Sequence, residues 1–320
     1  MSLPPSAAEC TEVLKKLSIA DLQILSRVAR ANRDLVREEL RVRHIRVLQP
    51  FFPHSTTFLH AMDLHNGVVT GSTALAYLLG ERDWKPRDLD VAVSYDGFQG
   101  LKQHLVAVEG YEIDALAEVR RRVARNKAKL SRRAAWLHLI VGEPNHPYDV
   151  TINSGIADVV TLRKDDKSID LIRNASQCPT FVISRFWSTL QMNWFSATGF
   201  CTAYPSLTFK GVGVLNPAAV GDVTSPIPTI RAVIDKYKAR GFTFHSSFEA
   251  YNPLLCVQGH DNALCPKVNR SFEDKFSMGG TFGTIDTPGR IDVRNKPTVG
   301  RTLCPYLALY HGSAGDENGI

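Results

Sequence analysis

The sequence predicts an α/β (α+β) fold: a central mixed sheet with an N-terminal helical layer and a C-terminal helical and irregular region. Three observations point there. Thr11 to Arg46 repeats Leu, Val, Arg and Glu at helical spacing. Two later segments, Asp88 to Ser94 and Tyr148 to Asn153, alternate apolar and polar residues with the period of a strand. Beyond Phe242 neither period persists, so irregular structure wrapped over the core is expected.

In order along the chain, Ser18-Ile-Ala-Asp21 offers a helix start ahead of Leu22, Ile24 and Leu25. Two or three amphipathic helices follow from it, with Leu22, Leu25, Val28 and Leu35 as their inward stripe. Val68-Val69-Thr70 is a short β-prone run, Gly71-Ser72 a flexible corner, and Thr73 to Leu79 the next helix. Phe181 to Phe195, with Phe186, Trp187, Leu190, Met192 and Trp194, reads as a buried helix. Gly211 to Pro217 and Thr224 to Pro228 read as loops, and Pro228 to Gly241 as an amphipathic helix with Lys236, Lys238 and Arg240 on its later turns. The organisation expected is a helical segment at 1–60, a sheet domain at 61–160 and a helical and irregular region at 161–320.

The chemistry concentrates in three short pieces. A helix that opens at Gly71-Ser72 points free N–H groups and the positive end of its dipole beyond the corner, a setting suited to phosphate. In Asp88-Leu-Asp-Val-Ala-Val-Ser94, Leu89, Val91 and Val93 share one face, while Asp88 and Asp90 share the other with Cα atoms roughly 6–7 Å apart. Two carboxylates at that spacing suit a hard cation such as Mg²⁺ or Mn²⁺, which takes oxygen ligands. Asp149, with Thr151 and Asn153 on its face of the later strand, is a third candidate ligand. Asp90 lies mid-strand among residues that want burial, where an uncompensated carboxylate is costly and a cation removes the cost.

Taken in order, a Gly-Ser corner before a helix, Asp-x-Asp on a strand and a lone Asp on a later strand resemble the DNA polymerase β-like nucleotidyltransferase superfamily, over about Gly67 to Asn153. The resemblance implies a nucleotidyltransferase-like sheet, Asp88 and Asp90 as ligands of two Mg²⁺ ions, Asp149 as the carboxylate that helps activate the acceptor hydroxyl, and Gly71 and Ser72 as the phosphate cradle. Lys85 and Arg87, just ahead of Asp88, are placed to touch phosphate, or are simply a charged loop around Pro86. Two departures stand out: Gly71 is followed by a single Ser, and the family's later base contacts have no counterpart that can be located. Val-Thr-Gly-Ser-Thr-Ala-Leu75 and Trp84-Lys-Pro-Arg-Asp-Leu-Asp90 also resemble proteins of mushroom-forming fungi, a likeness that implies no activity.

The remaining signals admit two readings each. Leu17 to Val36, with Leu3-Pro4 upstream, resembles the F-box, which implies a Skp-type adaptor as partner; the same residues serve equally as a helical layer on the sheet. Cys256-x3-His260-x4-Cys265, with Cys304 downstream, carries soft ligands for a structural Zn²⁺, although the spacing is not that of a standard finger; the alternative is free thiols and a surface histidine. Eight basic residues between Arg120 and Arg133, with no acid, either border the metal site and draw in polyanions or form a solvated face. No aromatic is interleaved there, so stacking of single strands is not supported. The net charge of +6 favours anionic ligands without requiring nucleic acid. Six scattered cysteines in 320 residues do not make a disulfide scaffold, and no apolar stretch nears the roughly 20 residues of a membrane span. The first ten residues lack the pattern of a secretory signal, so an intracellular protein, cytoplasmic or nuclear, is the expectation. The activity expected is metal-dependent transfer of a nucleotidyl group from a nucleoside triphosphate to an acceptor hydroxyl. The alternatives are a Mg²⁺-dependent enzyme for a small diphosphate-bearing metabolite, and a non-catalytic F-box-like adaptor.

Overall fold

The computed structural model describes residues 7–119, 155–220, 223–226, 228–253, 264 and 270–281. Its α/β class is the one expected. Four helices come first: α1 (Ala7–Lys16), α2 (Ile19–Val28), α3 (Arg30–Leu48) and α4 (Ser55–Leu64). The start of α2 is a reciprocal cap, in which the Asp21 amide donates to Ser18 Oγ and the Ser18 amide to Asp21 Oδ2, each at 3.2 Å. Arg43 of α3, 2% exposed, locks the layer together. Its guanidinium donates to the Leu14 carbonyl (2.8 Å), the Leu17 carbonyl (2.9 Å) and Glu39 Oε1 (2.9 Å). A positive group thereby meets carbonyls at the end of α1, that of Leu14 also accepting from the Leu17 amide (3.2 Å).

The helices share one core with the sheet. Strand β1 (Gly67–Thr70) runs into α5 (Gly71–Leu79), β2 (Asp88–Val93) into α6 (Gly97–Ala107) and β3 (Glu112–Ile113); β4 (Ile156–Lys164) and β5 (Lys167–Asn174) form a hairpin, and β6 (Asn193–Phe195) and β7 (Gly199–Thr202) another. After α7 (Pro205–Thr208), β8 (Val212–Val214), α8 (Pro217–Val220), α9 (Pro228–Lys238), β9 (Thr243–His245) and α10 (Phe248–Tyr251), strand β10 (Met278–Thr281) closes one edge. The main sheet has the order β10-β7-β6-β1-β2-β5-β4-β3, and β8 pairs with β9 in a second, two-stranded sheet. The main sheet therefore runs past residue 160, where the sequence suggests a boundary, and through β5, β6 and β7.

Period-two alternation divides the two faces. Val69, Leu89, Val91, Val93, Ile169 and Leu171 pack with Leu22, Leu40 and Phe58 of the N-terminal helices. Val68, Ala92, Val159 and Ile172 pack on the other face with Ile183, Trp194, Tyr204 and Phe272 of the C-terminal half. A third cluster joins Leu75 and Leu79 of α5 to Ile230, Ile234 and Tyr237 of α9 and to Trp187. Gly80, at φ +77°, lets the end of α5 dock on α1, since a Cβ there would stand 2.6 Å from the Leu17 carbonyl oxygen.

Several expectations need correction. Phe181 to Phe195 is not a helix but two 3-10 turns, Ile183–Arg185 and Thr189–Gln191, followed by β6. Apolar density without a 3.6 period cannot tell a helix from a buried strand, and here Asn193 to Phe195 find ladder partners in β7. Ser188 Oγ, accepting from the Leu190 amide, starts the second turn. Gly211 to Pro217 is not all loop either, because Val212 to Val214 pair in parallel with β9. The inward stripe holds for Leu22, which is buried, and Leu25, partly buried on the core; Val28 and Leu35 face outward at 73% and 48% exposure. Among the described residues no helix is long and apolar enough to cross a membrane.

Candidate functional site

Strand β2 carries Asp88 and Asp90 on the face opposite Leu89, as the alternation requires. Its neighbours set what stands beside them. Strand β1 lies antiparallel on one side, with Thr70 opposite Asp90; β5 lies parallel on the other, with Asp170 in register with Asp90 and Ser168 with Asp88. Asp90 and Asp170 therefore share a face, with their strands about 4.8 Å apart. Among the described strands, β2–β5 is the one parallel junction of the main sheet.

The β1–α5 corner fits against Asp90. Gly71 adopts φ +66°, and a Cβ on it would stand 2.0 Å from Asp90 Oδ2. Only glycine meets both conditions, the left-handed backbone and the close carboxylate. Thr70, the residue before α5, makes no side-chain cap, and the Asp90 carboxylate lies against the first residue of the helix, where the dipole is positive. Ser72 Oγ donates to Asp88 Oδ1 (3.3 Å), Thr73 Oγ1 donates to the Asp88 carbonyl (3.3 Å), and Lys236 Nζ of α9 donates to Asp88 Oδ2 (3.4 Å). Asp90 is 9% exposed, whereas the side chains of Asp88 and Lys236 are each about two-fifths exposed. Asp170 accepts a hydrogen bond from Thr161 of β4.

Behind the carboxylates lies Tyr237 of α9, a buried phenol. Burial first, then the charge of Asp90, raises its pKa above the ordinary tyrosine value; Asp88 adds to this, while Arg240 and a hydrogen bond with Gln191 oppose it. The Arg240 guanidinium lies 4.7 Å from the ring centre of Trp84 and 5.2 Å from that of Tyr237.

Of the residues that the sequence nominates, Gly71, Ser72, Asp88 and Asp90 come together at the end of β1 and the head of α5. Lys85 and Arg87 are exposed in the loop that leads into β2. Arg87 reaches toward the β4–β5 turn: Asp166 there is held below the usual carboxylate range chiefly by a hydrogen bond from Lys167, with a small share from Arg87. Asp149, the basic run from Arg120 to Arg133, Cys256, His260, Cys265 and Cys304 lie outside the described residues. Among the described residues no three His, Cys, Asp or Glu side chains are gathered, as they stand, into a group able to hold an ion. Asp88 and Asp90 share one face of β2, while the Asp170 carboxylate is turned to Thr161.

Asp170, Lys236 and Arg240 are the residues that sequence reasoning did not assign to the site. A signal for Asp170 exists in Ser168-Ile-Asp-Leu-Ile172, where an Asp sits between apolar residues as Asp90 does between Leu89 and Val91. Lys236 and Arg240 are visible as basic residues on and just past an amphipathic helix, but nothing local says that this helix packs on α5 and brings Lys236 to Asp88. Set against family models, curated proteins and solved structures, the chain finds no match.

Proposed function

We propose that the protein is a metal-dependent nucleotidyltransferase that moves a nucleotidyl group from a nucleoside triphosphate to an acceptor hydroxyl. The observation that supports this reading best is the register of Asp90 with Asp170 beside a corner where only glycine fits against the Asp90 carboxylate. The donor set is hard carboxylate and hydroxyl oxygen, which suits Mg²⁺ or Mn²⁺. Asp88 and Asp90 would be the ligands; Asp149, to which the family resemblance gives the part of the third carboxylate, lies outside the described residues, and in this reading Asp170, in register with Asp90, takes that part, helping to hold or deprotonate the acceptor hydroxyl. Bound Mg²⁺ supplies neutralisation of phosphate charge and in-line orientation of the attacking and leaving oxygens. The chain's own contribution is to keep Asp90 against Gly71 and to hold Asp88 through Ser72, so that the two carboxylates present a prearranged set of oxygens. The start of α5 adds a positive dipole at the same edge, complementary to triphosphate.

The test is transfer from radiolabelled nucleoside triphosphates in Mg²⁺ or Mn²⁺, with Asp90→Asn and Asp170→Asn beside wild type. Asp90→Asn should abolish turnover and the metal-induced rise in melting temperature, yet leave the metal-free protein no less stable, because it relieves repulsion among neighbouring carboxylates. Asp170→Asn should lower turnover by at least about 100-fold while metal still raises the melting temperature. An equal metal-induced shift in wild type and Asp90→Asn would sink the assignment.

A second reading, an adaptor that binds a partner through its N-terminal helices, rests on the outward-facing Ile24, Val28 and Leu35, which are 62%, 73% and 48% exposed. Capture of a Skp-type protein together with no triphosphate turnover would select it. Selective turnover of a small diphosphate-bearing metabolite would select the remaining alternative.

A further inference from the structure

Lys236 stands where a positive charge matters most and is held there weakly. Its helix, α9, is fixed by Ile230, Ile234 and Tyr237, an i, i+4, i+7 stripe packed against Leu75 and Leu79 of α5 and against Trp187. That packing sets the register of α9 on α5 and brings Lys236 Nζ to 3.4 Å from Asp88 Oδ2, while Ser72 engages the other Asp88 oxygen. A cation that uses Asp88 Oδ2 therefore competes with the lysine ammonium for that oxygen, and one that uses Oδ1 competes with the serine hydroxyl. The serine belongs to the same tight corner as Gly71; the lysine is tethered only by a flexible stem. The ion pair is some two-fifths exposed on both sides, and exposed pairs of this kind contribute little to stability. A divalent ion brings twice the charge and approaches oxygen more closely, so the exchange runs in its favour. Arg240 follows four residues on, close to Trp84 and Tyr237 and within electrostatic range of the same phenol that Asp90 and Asp88 influence.

We propose that Lys236 is an exchangeable counter-ion for Asp88: it neutralises the carboxylate when no divalent cation is bound, yields it when one binds, and then joins Arg240 in holding the phosphates of the donor. This rests on Asp88 and Asp90 being metal ligands, and it makes Lys236 a positioning residue with opposite effects on two ligands. Removing its charge favours the cation and disfavours the nucleotide. A lysine that served only to stabilise the fold would move neither.

The experiment titrates the full chain with Mn²⁺ alone, following free Mn²⁺ by electron paramagnetic resonance, for wild type, Lys236→Met, Lys236→Arg and Asp90→Asn. A non-hydrolysable ATP analogue is then titrated at saturating Mn²⁺. Lys236→Met should bind Mn²⁺ about 3–5-fold more tightly, in line with the loss of an exposed competing charge. It should bind the analogue about tenfold or more weakly. Lys236→Arg should stay within about threefold of wild type for both ligands, because it keeps the charge. Wild type that binds Mn²⁺ through Asp90, with Lys236→Met unchanged in Mn²⁺ affinity, overturns the counter-ion role alone. Wild type that binds no Mn²⁺, or binds it equally with Asp90→Asn, overturns the metal reading and the counter-ion role with it.

Discussion

Replacing Gly71 by alanine tests the corner on which the site depends, and its cost has two separable parts. The first is backbone strain: at φ +66° an L-residue is disfavoured by about 1–2 kcal/mol, since Cβ crowds the following carbonyl. The second is collision. A Cβ would lie 2.0 Å from Asp90 Oδ2, 2.9 Å from Asp90 Cγ and 3.2 Å from its Cβ, so the whole carboxylate must move although it is only 9% exposed and sits mid-strand. Displacing it from its rotamer adds about 1–2 kcal/mol, for a total near 2–4 kcal/mol. Only the collision depends on Asp90. An Asp90→Ala background removes Cγ and Oδ2 and keeps only the 3.2 Å Cβ contact, so Gly71→Ala there should cost the backbone part and little more, giving a coupling of about 1–2 kcal/mol in a double-mutant cycle. Urea unfolding of the four proteins without added metal measures it, with slopes checked so that differences in midpoint are differences in stability. Additive costs within about 0.3 kcal/mol would refute the close fit of Gly71 on Asp90 and with it the preorganisation of the carboxylate pair.

Two further predictions concern the joint between the N-terminal helices and the sheet. His44, 5% exposed and packed edge-on to Phe195 (5.1 Å) and Tyr77 (6.2 Å), has its pKa pushed down to about 4 by burial, partly opposed by a hydrogen bond with the Ser196 backbone. Because the folded value lies below the unfolded value near 6.5, its contribution is fully present above pH 6.5 and is lost as pH falls toward 4; between pH 7 and pH 5 the loss is about 2 kcal/mol. His44→Gln should remove that part of the acid sensitivity, and urea midpoints that fall in parallel for both proteins over this range would contradict the assignment. Arg43→Leu leaves Glu39 buried, with Arg46 at 3.3 Å as its remaining ion-pair partner, takes the guanidinium from the Leu17 carbonyl and leaves the Leu14 carbonyl with the Leu17 amide alone (3.2 Å). It should cost about 3–5 kcal/mol, partly recovered by adding Glu39→Leu, and a cost under 1 kcal/mol by chemical unfolding would show that the pin is dispensable.

The shared core explains why these positions bear on the site although they lie away from it. Arg43 reaches across to the Tyr77 carbonyl of α5 at 3.4 Å, and His44 and Phe195 pack on the Tyr77 ring. Helix α5 is the element whose first residues hold Asp88 and fit Asp90. It is clamped on one side by the N-terminal helices and on the other by α9, so both layers position its start. Loss of either clamp should loosen the corner before it unfolds the sheet.

Much of this arrangement was legible along the chain because it depends on neighbours in sequence. The period-two pattern of Asp88 to Ser94 is enough to put both carboxylates on one face, and Gly71 followed by an apolar helical run is enough to mark a corner. The Ser18–Asp21 cap is likewise local, and the structure contains it as read. What the chain could not disclose is which elements lie side by side. Strand β5 comes 80 residues after β2 in register, and only their parallel pairing sets Asp170 beside Asp90. The same holds for Lys236, which meets Asp88 across 148 residues because an apolar stripe of α9 packs on α5. Phe181 to Phe195 shows the limit most plainly: its apolar density announced burial, but whether it became helix or strand was decided by the free edges of β1 and β7 that Asn193, Trp194 and Phe195 came to fill. Burial and facing are properties of spacing, which a sequence carries; adjacency is a property of which surfaces remain to be covered, and that exists only once the layers have formed.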